Sequence, residues 1–371
     1  MTTMVTHGTT DYAELTKLGL TPADVTYFSS NINPYGPAPA VVDAVRAAVD
    51  SATLARYPDR LSLELRAALA QYHHVAPEAI VVGNGSADLM WLVALHFLQR
   101  KRVAILVPTF GEYDNIASMA EATVIKLCHP GWQAIAPNRY APGDRSVQEC
   151  GHALAAAQPD VVFLCNPNNP TGHYLSPSEL NRLHDAAPEA IWVIDEAYAE
   201  FTPTPWSAIQ WLAEDESNHR WLILRSMTKD YALGGLRLGY AVTSPQVAQA
   251  LQQIQPPWNV NALAQVAGLA ALDAPEWVAQ TIGHLREHVE LMRSTLYEHG
   301  LQPLPTTTNF FLLPVHGLLD GTAVAVRKAL LRERLIVRDC TSFGLPDYIR
   351  IAAMLPAQNE LLLDALVRLT G

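Results

Sequence analysis

Cysteine is scarce in this chain. The four present, Cys128, Cys150, Cys165 and Cys340, lie far apart, with no CxxC and no Cys/His pair at metal-ligand spacing. That excludes a disulfide-stapled scaffold and a zinc module, and it favours reduced thiols in a cytoplasmic protein. Charge is also sparse, at 16% of residues, and its balance is −11. A chain so acidic is a poor match for nucleic acid or an anionic membrane, so any anion it binds must be drawn by a local site. No uncharged run approaches the roughly 18 apolar residues of a membrane span, and the opening MTTMVTHGTTDYAEL has neither a basic n-region nor an apolar h-region. Internal repeats and low-complexity segments are absent as well.

What the chain has is length and apolar content. At 371 residues and 49% hydrophobic it exceeds the usual single-core limit, so a large domain with a smaller companion is expected. From Leu63 onward helical spacing alternates with short apolar runs. Strands are expected at 79–83, 103–107, 124–127, 161–165, 191–194, 221–224 and 238–242, and helices at 39–49, 63–72, 86–98, 112–119 and 177–185. Short, continuously apolar strands separated by helices indicate an α/β fold with a mostly parallel sheet covered on both faces. After Val242 helices dominate, with late strands at 309–313 and 349–352. The expected organisation is an N-terminal arm (1–40) that joins the small domain, a large domain (41–245) and a small α+β domain (246–371).

In such sheets ligands bind at the carboxyl ends of the strands, and those ends carry chemistry here. WLIL at 221–224 stops at Arg225, Ser226, Thr228 and Lys229, followed by Gly234, Gly235 and Arg237. A lysine among hydroxyls and a guanidinium suits a phosphorylated aldehyde, whose carbonyl the amine can take as a Schiff base. A solvated basic loop fits equally well. The strand at 79–83 runs into Asn84-Gly85-Ser86-Ala87-Asp88, where free amides at a helix start form an anion site, or where Ser86 merely caps the helix. After 103–107 comes PTFGEY, whose Phe110 can stack on a planar ring or serve the core. After 161–165 comes NPNNPTG, in which two prolines stiffen the setting of Asn169. After 191–194 comes DEAY. A carboxylate at the end of a buried strand, Asp195, needs a partner, and a protonated pyridine nitrogen or a following turn can supply one.

In this order and spacing CNPNNPTG, DEAY, SMTK and GLRLGY resemble the class I/II aminotransferases, fold-type I pyridoxal-phosphate enzymes of the aspartate aminotransferase-like type. Within them they resemble the branch that holds histidinol-phosphate aminotransferase and threonine-phosphate decarboxylase. The likeness runs from about Asn31 to the C-terminus. It implies that Lys229 carries pyridoxal 5′-phosphate, that Asp195 holds the ring nitrogen, and that Asn169 and Tyr198 bond the ring oxygen. It also implies that Phe110 stacks on the ring, with Gly85, Ser86, Ala87, Ser226, Thr228 and Arg237 about the phosphate. Tyr57, in ARYPD, matches a tyrosine that one subunit sends into the other's site, which implies a homodimer with shared active sites. Arg350 in YIRIA, and Arg338 in VRDC, match substrate-anion arginines, and Asn33 is expected to face the substrate. The implied reaction moves an amino group between a phosphorylated amino substrate and a 2-oxo acid such as 2-oxoglutarate, and RDCTSFGLPDYIRI fits it. NINPYGP, SMTK and PPWNVNA lean towards the decarboxylase.

Two rival classes lack their signatures. A cofactor-sensing DNA-binding regulator would need a basic helix-turn-helix extension. A nicotinamide-dependent dehydrogenase would need a third glycine after Gly83-Asn-Gly85. The His73-His74 and Cys128-His129 neighbours do not chelate one ion from a helix or strand.

Overall fold

The computed structural model describes residues 12–49, 51–214 and 218–370. The first eleven residues, and with them most of the stretch read above for a leader, lie outside those described. Seven strands form the central sheet, in the order Ile80–Gly83, Gly239–Thr243, Trp221–Ser226, Ile191–Asp195, Val161–Cys165, Arg102–Val107 and Thr123–Cys128. All neighbours run parallel except Gly239–Thr243, which is antiparallel to both of its neighbours.

Because successive strand residues point to opposite faces, each strand feeds two cores. Ile80, Ala104, Val162, Ile194, Ile223 and Val242 face one way, against helices that include Leu63–His73 and Ala262–Leu272. Val81, Ile105, Phe163, Val193, Leu224 and Ala241 face the other, against Ser86–Val93, Glu112–Met119 and Pro245–Ile254. Both faces are covered, which is why the strands read as unbroken apolar runs rather than alternating ones.

A three-stranded antiparallel sheet, Phe310–Pro314 with Tyr348–Ala352 and Arg338–Asp339, packs with the 24-residue helix Pro275–Glu298 and with Ala323–Arg332 around a third core. Described residues of the N-terminal segment make contacts with this part of the molecule. Thr26–Tyr27 pairs in parallel with Leu335–Ile336, Ala352 donates its N–H to the Phe28 carbonyl at 2.8 Å, and Arg327 pairs with Glu14. Among the described residues, no helix is long and apolar enough to cross a membrane.

The structure corrects several expected boundaries. The strand expected at 221–224 continues through Ser226, so Arg225 and Ser226 are ladder residues on opposite faces rather than loop residues. The helix expected at 86–98 is α-helical only to Val93, then widens into a π turn over Ala94–Leu98. A hairpin, Trp132–Ala136 with Arg139–Pro142, is an addition the sequence reading lacked.

Candidate active site

The carboxyl ends of five strands supply the site: four neighbours, Arg102–Val107, Val161–Cys165, Ile191–Asp195 and Trp221–Ser226, and Ile80–Gly83 beyond the antiparallel Gly239–Thr243. Asp195 is the last residue of its strand and is 4% exposed. Its Oδ2 accepts a 2.7 Å hydrogen bond from the Tyr113 hydroxyl and its Oδ1 accepts from the Ala197 N–H at 3.0 Å. Burial raises its pKa, while the Tyr113 bond, the Ala197 amide and the nearby Lys229 charge act against that rise. Lys229 follows the strand Trp221–Ser226 by three residues. Its pKa is lowered to about 8, first by burial and then by the charges of Arg350 and Arg237. A lysine so placed is a neutral amine for an appreciable fraction of the time near neutral pH, which is the form that attacks a carbonyl.

The expected anion cradle at 84–88 is built by close approach. Gly85 stands at the N-cap of Ser86–Val93 with φ +80°, and no side chain caps the helix, so Ser86 is the first helical residue rather than the cap. The first-turn amides are thus not capped by a side chain, at the positive end of the helix. A Cβ on Gly85 would lie 2.8 Å from Arg237 Nη2, and a Cβ on Gly239 would lie 2.5 Å from the Ser86 amide nitrogen. Two glycines therefore let a guanidinium and a helix start meet at one point. Ser226 and Thr228 are buried beside them, their hydroxyls 2.7 Å apart.

Of the three asparagines in the 166–172 loop, two are consumed by the loop itself. Asn166 exchanges bonds with the Leu175 backbone, and Asn168 bonds Pro108 O, Thr171 Oγ1 and Thr109 Oγ1. Asn169 is the one presented to the site. Its Oδ1 accepts from Arg350 Nη1, which leaves the amide nitrogen as the group to donate to a ligand oxygen. Arg350 also donates to Ser29 O at 2.8 Å and lies over the Phe310 ring at 5.2 Å, with no carboxylate partner among the described residues and with Nε unbonded. Arg338 sits opposite Arg350 in the antiparallel ladder, donates to Ser342 Oγ at 2.8 Å, and has its pKa lowered to about 10 by burial and by Arg350. Two buried guanidinium groups side by side attract a ligand of more than one negative charge.

Tyr198 is buried, and its hydroxyl accepts from Asn31 Nδ2 at 3.1 Å. Phe110 is half-buried and meets Tyr113 edge-on at 5.6 Å. Two expected residues stand apart from this group. Asn33 spends its side chain on Thr281 Oγ1, the Asp230 carbonyl and the Tyr35 N–H, while its own N–H bonds the Lys229 carbonyl, so it fastens the lysine loop. Tyr57 is 78% exposed and stacks on Trp258.

Sequence reading placed Tyr113 among the aromatic rings beside the crevice without giving it a role, and gave none to Glu196. Tyr113 lies one helical turn after Phe110, a spacing that puts both rings on one side. Glu196 points to the sheet's opposite face, where it pairs with Arg225 at 3.1 Å; Glu200 holds the other end of that guanidinium.

The donors match pyridoxal phosphate: a buried carboxylate, a buried amine of lowered pKa, an amide, a phenol, a ring, and a glycine-lined anion cradle. The sequence model described as Aminotransferase class I and II matches residues 23–366. A histidinol-phosphate aminotransferase of Symbiobacterium thermophilum is 35% identical over 94% of this chain and 91% of its own. The crystal structure of L-threonine-O-3-phosphate decarboxylase from Porphyromonas gingivalis is 28% identical, with a TM-score of 0.76 over 91% of this chain and 97% of its own. The fold is shared with histidinol-phosphate aminotransferase from Sinorhizobium meliloti, solved in complex with pyridoxal-5′-phosphate, at TM-score 0.82 and 24% identity over 98% and 95% of the two chains.

Proposed function

Since the chain belongs to the class I and II aminotransferases, a pyridoxal-phosphate-dependent family, we propose that it transfers the amino group of a phosphorylated amino substrate of histidinol-phosphate type to a 2-oxo acid such as 2-oxoglutarate. The observation that carries the substrate class is the buried pair Arg338 and Arg350, laddered opposite each other beside Asn169. Two guanidinium groups side by side in a buried site favour a phosphate dianion over an uncharged analogue, because only the dianion offers them charge-assisted and bidentate hydrogen bonds.

Pyridoxal phosphate, when bound, supplies an electron-withdrawing ring that weakens the bonds at the substrate Cα. In this reading Asp195 holds the ring nitrogen, Asn169 and Tyr198 the ring oxygen, Phe110 the ring face, and Gly85–Ala87, Ser226, Thr228 and Arg237 the phosphate. Lys229 has two tasks, to carry the cofactor and to take the Cα proton as general base, and a pKa near 8 suits the second at physiological pH. Asp195 must be ionised to favour a protonated ring, and the hydrogen bond from Tyr113 favours that form. Residues 29–33 link these groups: Ser29 O holds Arg350, Asn31 holds Tyr198, and Asn33 holds the Lys229 backbone.

Tyr57, which is 78% exposed, is read as donated to a second copy, so that the working form is a homodimer with shared sites. Four free cysteines fit a reducing cytoplasm.

A second reading, decarboxylation of threonine phosphate, is favoured by the likeness to the Porphyromonas gingivalis enzyme. One experiment separates the two. Histidinol phosphate should convert the enzyme's absorbance from the pyridoxal to the pyridoxamine form, and 2-oxoglutarate should restore it. Carbon dioxide release from threonine phosphate, with no such conversion by histidinol phosphate, would replace the first reading with the second.

A further inference from the structure

Two large aromatic side chains lie stacked on the surface. The rings of Tyr57 and Trp258 are 4.5 Å apart and 26° from parallel, with 78% and 45% of each residue exposed. An isolated exposed ring is ordinary, but a stacked pair held in a tied-down setting is a prepared surface. Trp258 adopts φ +58°, a conformation rare for residues with a Cβ. Its neighbours explain how that is maintained. Asn259 donates to Asp88 Oδ2 at 2.6 Å, and the same oxygen receives the Asn84 N–H at 3.0 Å, so the strand-to-helix turn of the phosphate cradle is bolted to the residue after Trp258. Asn261 caps the helix Ala262–Leu272 and donates to the Leu236 carbonyl, the residue before Arg237. One turn into that helix, Gln265 donates to the Asp59 carbonyl at 3.0 Å, and Asp59 in turn accepts from the Leu61 and Leu63 amides.

The segment 258–261 therefore grips its own chain's cradle on two sides while its one projecting ring supports Tyr57. We propose that Trp258 is a positioning residue that acts on the active site of a second copy, by holding Tyr57 in the pose in which it enters that site. The inference rests on the shared-site homodimer of the preceding subsection and deepens it. A single four-residue segment then serves two sites: through Asn259 and Asn261 the cradle of its own chain, and through Trp258 the site of the other.

Complementation in hybrid dimers tests this. Lys229→Ala and Trp258→Ala protomers carrying different tags are co-expressed, and the hybrid is isolated by both tags. In that hybrid one site lacks Lys229, while the other has Lys229 and receives a Tyr57 supported by an intact Trp258. The Trp258→Ala homodimer should lose up to about tenfold in kcat/KM for histidinol phosphate, the upper end for an aromatic pair. The hybrid should recover about half of the wild-type kcat/KM per dimer, one sound site in two. Tyr57→Leu and Trp258→Leu should also be strongly non-additive when combined, since the indole acts through the phenol.

A hybrid as impaired as the Trp258→Ala homodimer would place the effect within Trp258's own chain and overturn the proposal. So would a fully active Trp258→Ala homodimer. The Lys229→Ala/Tyr57→Phe hybrid is the control for the underlying reading. If it recovers nothing, the tyrosine does not cross between copies; if it recovers and the tryptophan hybrid does not, only the present proposal fails. Trp258→Leu keeps apolar volume and replaces Trp258→Ala if the latter does not fold.

Discussion

The Tyr113 hydroxyl donates a 2.7 Å hydrogen bond to Asp195 Oδ2, with Tyr113 fully buried and Asp195 nearly so. The bond works against the rise that burial imposes on the Asp195 pKa. In Tyr113→Phe that rise grows, so the acidic limb of the pH profile of kcat/KM should move to higher pH. Activity at neutral pH should fall by about tenfold, as for loss of one hydrogen bond to a charged group. A profile measured against wild type between pH 5 and 9 reads both; an unmoved acidic limb would remove the phenol from the ionisation of Asp195.

Lys229 gives the cofactor-free protein a stability that depends on pH. Its pKa is about 8 in the folded protein against an ordinary 10.5. Below about pH 8 the folded state holds a buried ammonium at a cost; between the two values the folded lysine is neutral while the unfolded one is still charged, so the cost shrinks as pH rises. Lys229→Met should therefore be more stable than wild type at pH 7, by at most about 3 kcal/mol, with the gap narrowing towards pH 10. Thermal melts of both apoproteins across that range would show it, and a gap that widens with pH would contradict the assignment.

Gly85 is held at φ +80° with Arg237 Nη2 where its Cβ would go. Gly85→Ala adds backbone strain of about 1–3 kcal/mol and pushes the guanidinium off the cradle. Affinity for pyridoxal phosphate should drop by at least about tenfold, as measured by titrating the apoenzyme, with a smaller effect on the melting temperature of that apoenzyme.

Arg225 is 5% exposed between Glu196 and Glu200. Arg225→Met leaves the deeply buried Glu196 without its cation and should destabilise the fold by about 3–5 kcal/mol in urea unfolding. Adding Glu196→Gln should recover part of that loss. Failure to recover any of it would mean that the arginine acts through packing and not through charge.

The central strands were legible because a strand buried on both faces is a continuous apolar run, and such runs as Val161–Cys165 and Ile191–Asp195 stand out between helices. The Trp132–Ala136 hairpin was not, because only Trp132 of its first strand is buried and the exposed remainder carries no periodic signal. At the site, residue types announced Lys229, Asp195 and Asn169, since few other positions need an amine, a carboxylate or an amide at the end of an apolar strand. Direction was harder. Nothing in DEAY says that Asp195 and Glu196 face opposite sides of the sheet until the ladder with Trp221–Ser226 is known. Asn33 was misleading for the converse reason. An asparagine in a turn-rich arm resembles a ligand group, and only the tertiary contact with Thr281, 248 positions away, shows where its amide is spent.

The bond from Arg350 to the Ser29 carbonyl spans 321 positions of the chain. On the ribosome residues 26–33 emerge long before the strand Tyr348–Ala352 that holds them. The pairing of Thr26–Tyr27 with Leu335–Ile336 has the same delay. The large sheet can close once Thr243 is available, but the pocket that Arg338 and Arg350 share is completed only after the strand Tyr348–Ala352 has emerged.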